Sequence, residues 1–213
     1  MQTLDRRATE EFGIPDLVLM ENAGLRAADL ILEEFGSFSG KIALFCGRGK
    51  NGGDGFVVAR HLFLSGKPIS VFLIADALPS EPASLTNLKI LQKMGCPFLQ
   101  LRSLESLQEA LQKEGPFGLI VDALLGIGLK REVREPIRTA ISLLNDLKVP
   151  IVSLDIPSGL CADTGQTLGA CIHAKVTVTF GLPKQGLFQG EGPRVAGRVV
   201  VKPISLPTVL LNR

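Results

Sequence analysis

Histidine is scarce in this chain: His61 and His173 are the only two in 213 residues. Cysteine is hardly commoner, and Cys46, Cys96, Cys161 and Cys171 are too far apart to form a Cys-x-x-Cys pair. These shortages argue against a zinc site and a disulfide framework, and point to a reducing compartment. Two scattered histidines also leave little material for a Ser-His-Asp triad. No apolar run approaches the length of a membrane span. Charge of one sign is lacking too: a formal net charge of +2 gives no argument for nucleic-acid or membrane binding. The first residues, MQTLDRRATEEF, are charged and contain no apolar h-region, so no signal peptide is expected. A soluble cytoplasmic protein is the expectation.

What is present is an ordinary globular composition, 46% apolar and 21% charged. The length suits one domain over residues 1–213, and no repeat, low-complexity segment or linker divides it. Two N-terminal helices are predicted at 3–13 and 15–36, separated by Gly13 and Pro15. The second carries MENAG (residues 20–24), whose Glu21 and Asn22 suit either a solvated face or a pocket or interface. Strands follow at 42–46, 69–75, 98–101, 117–121, 150–154, 175–180 and 198–201, with helices at 56–64, 84–94, 104–113 and 136–147. Strands alternating with helices predict an α/β sandwich on a mostly parallel sheet.

The segment Lys41–Gly55, KIALFCGRGKNGGDG, is the densest motif. Gly47, Gly49 and Gly52 satisfy G-x-G-x-x-G, which suggests a dinucleotide turn, but Asp54 puts a carboxylate where a pyrophosphate would lie. With no Cβ, its glycines allow left-handed backbone and a close approach of the chain to a ligand. Further polar groups follow two later apolar runs directly: Asp122, then Asp155 with Ser158. In an open α/β sheet, ligands bind outside the carboxyl ends of the strands, so these groups are expected along one edge. Asn51, Asp122 and Ser158 form a mixed neutral and singly charged set suited to a monovalent cation, leaving Asp155 for acid–base work. Ser158 lies in no G-x-S-x-G elbow. Asp163, Thr164 and Gly165 suggest a turn in which Asp163 bonds local backbone. Lys184 suits a solvated surface position or a loop reaching the same edge, and Lys130, Arg131 and Arg134 suit a phosphate contact or an exposed basic patch.

GRGKNGGDGFVVARHL, VDALLGIGL, SLDIPSGLCADTG and TFGLPKQG, with MENAG upstream, together resemble the YjeF N-terminal domain family. The similarity runs from about residue 2 to about residue 207. The resemblance implies a Rossmann-like three-layer αβα sandwich with extra N-terminal helices. It also implies an NAD(P)H-hydrate epimerase, an isomerase interconverting the R and S forms at C6 of hydrated NADH and NADPH. Such an enzyme acts ahead of an NAD(P)H-hydrate dehydratase, in nicotinamide cofactor repair. By position, the family's potassium ligands would be Asn51, Asp122 and Ser158. The hydrated nucleotide would meet Lys50, Asn51, Gly52, Gly53 and Asp54, then Gly126, Ile127, Gly128, Leu129, Lys130, Arg131 and Glu132, together with Asp155. Asp155 would be the acid–base group, with Lys184 in a supporting charge role. Lys50 departs from the family, which commonly has a second Asn there. A homodimer through the N-terminal helices is also implied.

Two rival readings remain open on sequence. An NAD-dependent oxidoreductase would use the G-x-G-x-x-G pattern and Asp76 as a ribose acid. A non-catalytic scaffold module of the same domain family would use its helices for partners, although retention of Asn51, Asp122, Asp155 and Ser158 favours catalysis.

Overall fold

A computed structural model describes residues 1–37 and 39–211. Phe38, Asn212 and Arg213, which the single-domain expectation includes, lie outside the described residues. Helix α1 (Gln2–Phe12) ends at Gly13, whose φ of 68° gives the left-handed cap that stops it. Pro15 then opens helix α2 (Asp16–Phe35), which buries Leu19, Met20, Ala23, Ala27, Ala28, Leu30 and Ile31. Glu21 and Asn22 are not idle on this helix. Glu21 receives a hydrogen bond from Arg60 and pairs with His61 at 2.9 Å, and Asn22 Nδ2 donates to Ser205 Oγ at 2.9 Å.

The sheet elements follow as β1 (Lys41–Cys46), α3 (Lys50–Leu64), β2 (Ile69–Ile74), α4 (Pro82–Lys93), β3 (Phe98–Leu101) and α5 (Leu104–Glu114). The second half is β4 (Phe117–Ala123), α6 (Ile137–Asp146), β5 (Ile151–Leu154), β6 (Val176–Phe180), α7 (Gly192–Val195), β7 (Arg198–Lys202) and α8 (Thr208–Leu211). The seven strands lie in the order β3-β2-β1-β4-β5-β6-β7, and every pairing is parallel, not merely most of them.

Strand alternation builds the two faces. Ile42, Leu44 and Cys46 of β1 pack with α2, α3 and α4, while Ala43 and Phe45 pack with α5 and α6. Phe45 stacks on Phe72 of β2 at 4.8 Å between ring centres. Both faces of the sheet are therefore covered, as a parallel sheet requires. Strand order reverses between β1 and β4, which makes the carboxyl ends of those strands the natural binding crevice.

Candidate active site

A cavity of about 650 Å³ opens at that crevice. Asn51 and Asp54 of α3, Leu124 and Leu125 after β4, and Asp155 and Lys184 line it. Met1 and Asp5 of the N-terminal segment, Leu19 and Met20 of α2, and Ile204 near the C-terminus also line it.

The glycine stretch differs from expectation. Helix α3 starts at Lys50, six residues before the predicted start, so Gly52, Gly53 and Gly55 sit inside its first turns. None of Gly47, Gly49, Gly52, Gly53 or Gly55 has a positive φ. At Gly47, Gly52, Gly53 and Gly55 the requirement is space, not backbone freedom, whereas a Cβ on Gly49 would meet nothing within 4 Å. A Cβ on Gly52 would lie 1.8 Å from the Gly47 carbonyl oxygen, and one on Gly55 would lie 2.6 Å from Cys46 Sγ and 2.7 Å from Ala123 Cβ. Glycine costs about 1 kcal/mol in a helix relative to Ala. Close packing of α3 on β1 and β4 offsets that cost and drives Asn51 and Asp54 into the crevice. The close approach is between parts of the protein, and Gly52 and Gly53 do not line the cavity.

Asp155 follows the last residue of β5 with φ 63°, a left-handed conformation that Asp tolerates better than most residues. Its amide donates to Val178 O at 2.7 Å, which fixes the turn. The carboxylate accepts from Phe180 N at 3.2 Å and Thr179 Oγ1 at 3.4 Å, and it pairs with Lys184. Lys184 is no solvated lysine: it is 6% exposed, and its Nζ also donates to Phe180 O at 2.8 Å. The loop after β6 curls back on itself through Gly181 (φ 68°), which presents the ammonium group to Asp155.

Asp122 meets a different environment. It is fully buried, and its carboxylate accepts from Ser153 Oγ at 2.8 Å, Ser158 N at 2.9 Å, Ser158 Oγ at 2.6 Å and Leu124 N at 3.3 Å. Burial pushes its pKa above the ordinary carboxylate value, against the pull of these hydrogen bonds. Ser158 Oγ also accepts from Leu125 N at 2.8 Å, and Asn51 Nδ2 donates to Leu125 O at 2.9 Å. Asn51, Asp122 and Ser158 are thus joined through Leu125. The Asn51 side-chain oxygen is buried and has no hydrogen-bond partner. An unpaired buried acceptor is costly, and a cation there would satisfy it. The surrounding donors are all oxygen with one formal charge, a set that fits potassium better than a divalent ion. Among the described residues no group of three or more His, Cys, Asp or Glu could hold a metal.

Asp54 faces the cavity and forms no hydrogen bond or ion pair among the described residues. Burial pushes its pKa well above the usual value, reinforced by the negative charges of Asp155 and Asp5. Asp5 was not singled out from sequence. It lines the cavity, its Oδ1 is buried without a partner, and burial raises its pKa as well. Sequence offered little signal for it beyond an acid on a helix adjoining the motifs. Asp16, at the start of α2, was missed in the same way. It accepts from Lys50 Nζ at 2.7 Å, so the family's departure at Lys50 has a defined partner here. Burial works against the Lys50 charge, but the Asp16 hydrogen bond and the charges of Asp16, Asp5 and Glu81 together raise the pKa.

The second predicted contact segment divides. Gly126, Ile127, Gly128 and Leu129 line the cavity, whereas Lys130, Arg131 and Glu132 do not. Lys130 pairs with Asp163 at 2.6 Å on the surface, while Arg131 and Glu132 border a separate depression with Arg134 and Arg138. The 163–165 turn forms with Gly165 N bonded to Cys161 O, but Thr164 Oγ1 accepts the local backbone N–H of Gln166 in place of Asp163. Asp76, the ribose acid of the oxidoreductase reading, is exposed and lies 3.7 Å from Arg48.

The YjeF-related protein N-terminus model matches residues 16–186. The chain belongs to that family. It is 44% identical over 213 residues to the bifunctional NAD(P)H-hydrate repair enzyme Nnr of Moorella thermoacetica, covering 99% of this chain and 40% of that protein. It is 36% identical over 201 residues to the NAD(P)H-hydrate epimerase of Limosilactobacillus fermentum, covering 94% of this chain and 92% of that one. The crystal structure of yeast ynu0 matches with a TM-score of 0.79 and 25% identity, over 95% of this chain and 84% of that chain. This YjeF-type chain therefore spans about 40% of the length of its bifunctional relatives and most of the length of the epimerase.

Proposed function

We propose that this YjeF-type chain is an NAD(P)H-hydrate epimerase, an isomerase that interconverts the R and S forms at C6 of hydrated NADH and NADPH. The observation that carries the reading is the pairing of Asp155 with the buried Lys184 at the same cavity as Asn51 and the segment after β4. The cavity volume falls within the range of ligand pockets, roughly 300–1,000 Å³. C6 of the hydrated ring bears a hydroxyl beside a ring nitrogen, so that carbon must become planar before the opposite face is attacked. Asp155 handles the proton in that exchange, and the Lys184 charge holds its carboxylate in place. Gly49, Lys50 and Asn51 and the segment from Gly126 to Leu129 bound the space for the nucleotide.

Potassium belongs to the same reading, with Asn51, Asp122, Ser158 and the Leu125 carbonyl as its holders. When bound, the ion neutralises charge and ties the loops after β4 and β5 together. Supporting it is the unpartnered Asn51 oxygen. Replacing potassium with choline is expected to lower the melting temperature. The effect should disappear in Asn51→Leu, and a wild type indifferent to the exchange would remove the ion from the reading.

A dehydratase acting on the S form is the functional partner, in line with the bifunctional relatives. A homodimer through α1 and α2 is supported by Phe12, Leu17 and Val18, which stay exposed where the two helices meet. A cytoplasmic location suits a pool of reduced nicotinamide cofactors. Among the described residues no helix is long and apolar enough to cross a membrane. The deciding test supplies R-hydrated NADPH together with an S-specific dehydratase. Regeneration of NADPH that depends on this chain is expected; no consumption of the R form would overturn the reading.

A further inference from the structure

Epimerisation through a planar C6 sets a requirement that one acid–base group meets poorly. A hydroxyl leaving one face needs a proton, and water adding to the other face must lose one. Sites for such chemistry commonly pair two titratable groups whose surroundings drive them to opposite protonation states. Asp155 is one member by its contacts, since its carboxylate is an acceptor committed to Lys184, Phe180 N and Thr179 Oγ1. The cavity holds a second carboxyl in the opposite situation.

Asp54 comes from α3, a different element, and faces the cavity with no donor from the protein. Its charged neighbours arrive from every side. Asp155 stands at the end of β5 and Asp5 on α1, both opposing a charge on Asp54. Lys184 and Lys50 favour that charge, but Lys184 is engaged by Asp155 and Lys50 by Asp16. On the remaining elements, Glu81 precedes α4 and lines the cavity, Cys46 ends β1, and Asp122 on β4 is occupied by its serines. Burial and the carboxylates therefore hold Asp54 neutral well above the ordinary carboxylate pKa.

We propose that Asp54 is a second catalytic residue, the proton donor opposite Asp155, and that Asp5 is a positioning residue that keeps it in that role. This rests on the epimerase reading. In one direction the Asp54 carboxyl gives its proton to the C6 hydroxyl as the C–O bond breaks. The ring-nitrogen lone pair forms the C=N bond of an iminium, and water departs. Water then attacks the other face of C6, electrons return to nitrogen, and Asp155 takes the surplus proton. Proton exchange with solvent in the cavity restores both carboxyls, and the reverse epimerisation uses them in exchanged roles. Asp5 acts through its negative charge on Asp54, from a helix that precedes every family motif quoted above.

The test combines carboxyl-¹³C NMR titration with pH–rate profiles on the full chain. Wild type is expected to show an aspartic carboxyl that stays protonated well above the ordinary carboxylate range and is missing from Asp54→Asn. Asp54→Asn should keep its melting transition, lose about 10²–10⁴ in kcat, and lose the alkaline limb of the profile. Asp5→Asn removes a negative charge that disfavours ionised Asp54. Its alkaline limb should therefore move to lower pH, while the plateau kcat changes by only a few fold. An active wild type with an equally active Asp54→Asn variant, or with no protonated carboxyl, overturns this role alone. An alkaline limb unmoved in Asp5→Asn overturns the part given to Asp5. A wild type that consumes no R-hydrate overturns the epimerase reading, and this role with it.

Discussion

Asp122 and Asp155 arise from adjacent strands, β4 and β5, each directly after a run of apolar residues, yet they do opposite things. Asp122 still lies within its strand and is fully buried. It spends its acceptors on Ser153, Ser158 and Leu124. Asp155 lies one residue past its strand, turns through φ 63°, and opens its carboxylate toward the cavity with a buried ammonium behind it. One aspartate ties the loops after β4 and β5 together, and the other is presented to the cavity beside a lysine. The difference comes from what reaches each carboxylate. Two serines and backbone amides reach the first, while a lysine from a loop about thirty residues later reaches the second.

The contrast can be broken most severely at Asp155. Asp155→Asn keeps acceptors for Phe180 N and Lys184 but cannot carry the proton, so kcat is expected to fall by about 10²–10⁴. Leaving the buried Lys184 without its counter-charge should also lower the melting temperature, so turnover is compared well below the transition; wild-type turnover in that variant would show the two aspartates to be alike. Asp122→Ala should fail in the other direction. It strands the buried Ser153 hydroxyl and the amides of Ser158 and Leu124, each worth about 1–3 kcal/mol when unsatisfied. A loss of at least about 3 kcal/mol is expected, or roughly 6–12 °C in melting temperature at this size, read by calorimetry. A variant as stable as wild type would mean that Asp122 is not the knot. The smallest effect should come from Ser153→Ala, which removes one donor from Asp122 and none from Asp155. About 1 kcal/mol of stability should be lost, with kcat close to wild type; a large kcat loss would tie Asp122 to the chemistry.

Much of the fold was legible because its elements repeat local signals. Each buried strand is a short apolar run, and Gly13 with Pro15 marked the break between α1 and α2. The start of α3 was not legible. Glycine disfavours helix, and nothing local to KNGGDG reports that β1, β4, Met20 and Ser84 lie within a Cβ's reach of it. Lys184 misled for a similar reason, since a lysine between Pro183 and Gly186 carries no local sign of burial. Of the contact segment at 126–132, the glycine-containing half reaches the cavity. The charged half turns to solvent, where hydration and Asp163 serve it better.

The order of strands and helices and the gathering of polar groups at strand ends follow from residue spacing alone. Spacing determines which side chains share a face and which end of a parallel strand meets a loop. Tertiary structure decided the rest. It brought Asp5 from the first helix beside Asp54, set Lys184 against Asp155, and left the Asn51 oxygen without a donor. Protonation and ligand capacity depend on burial and on charges a few ångströms away in space, and residues distant in sequence supply both.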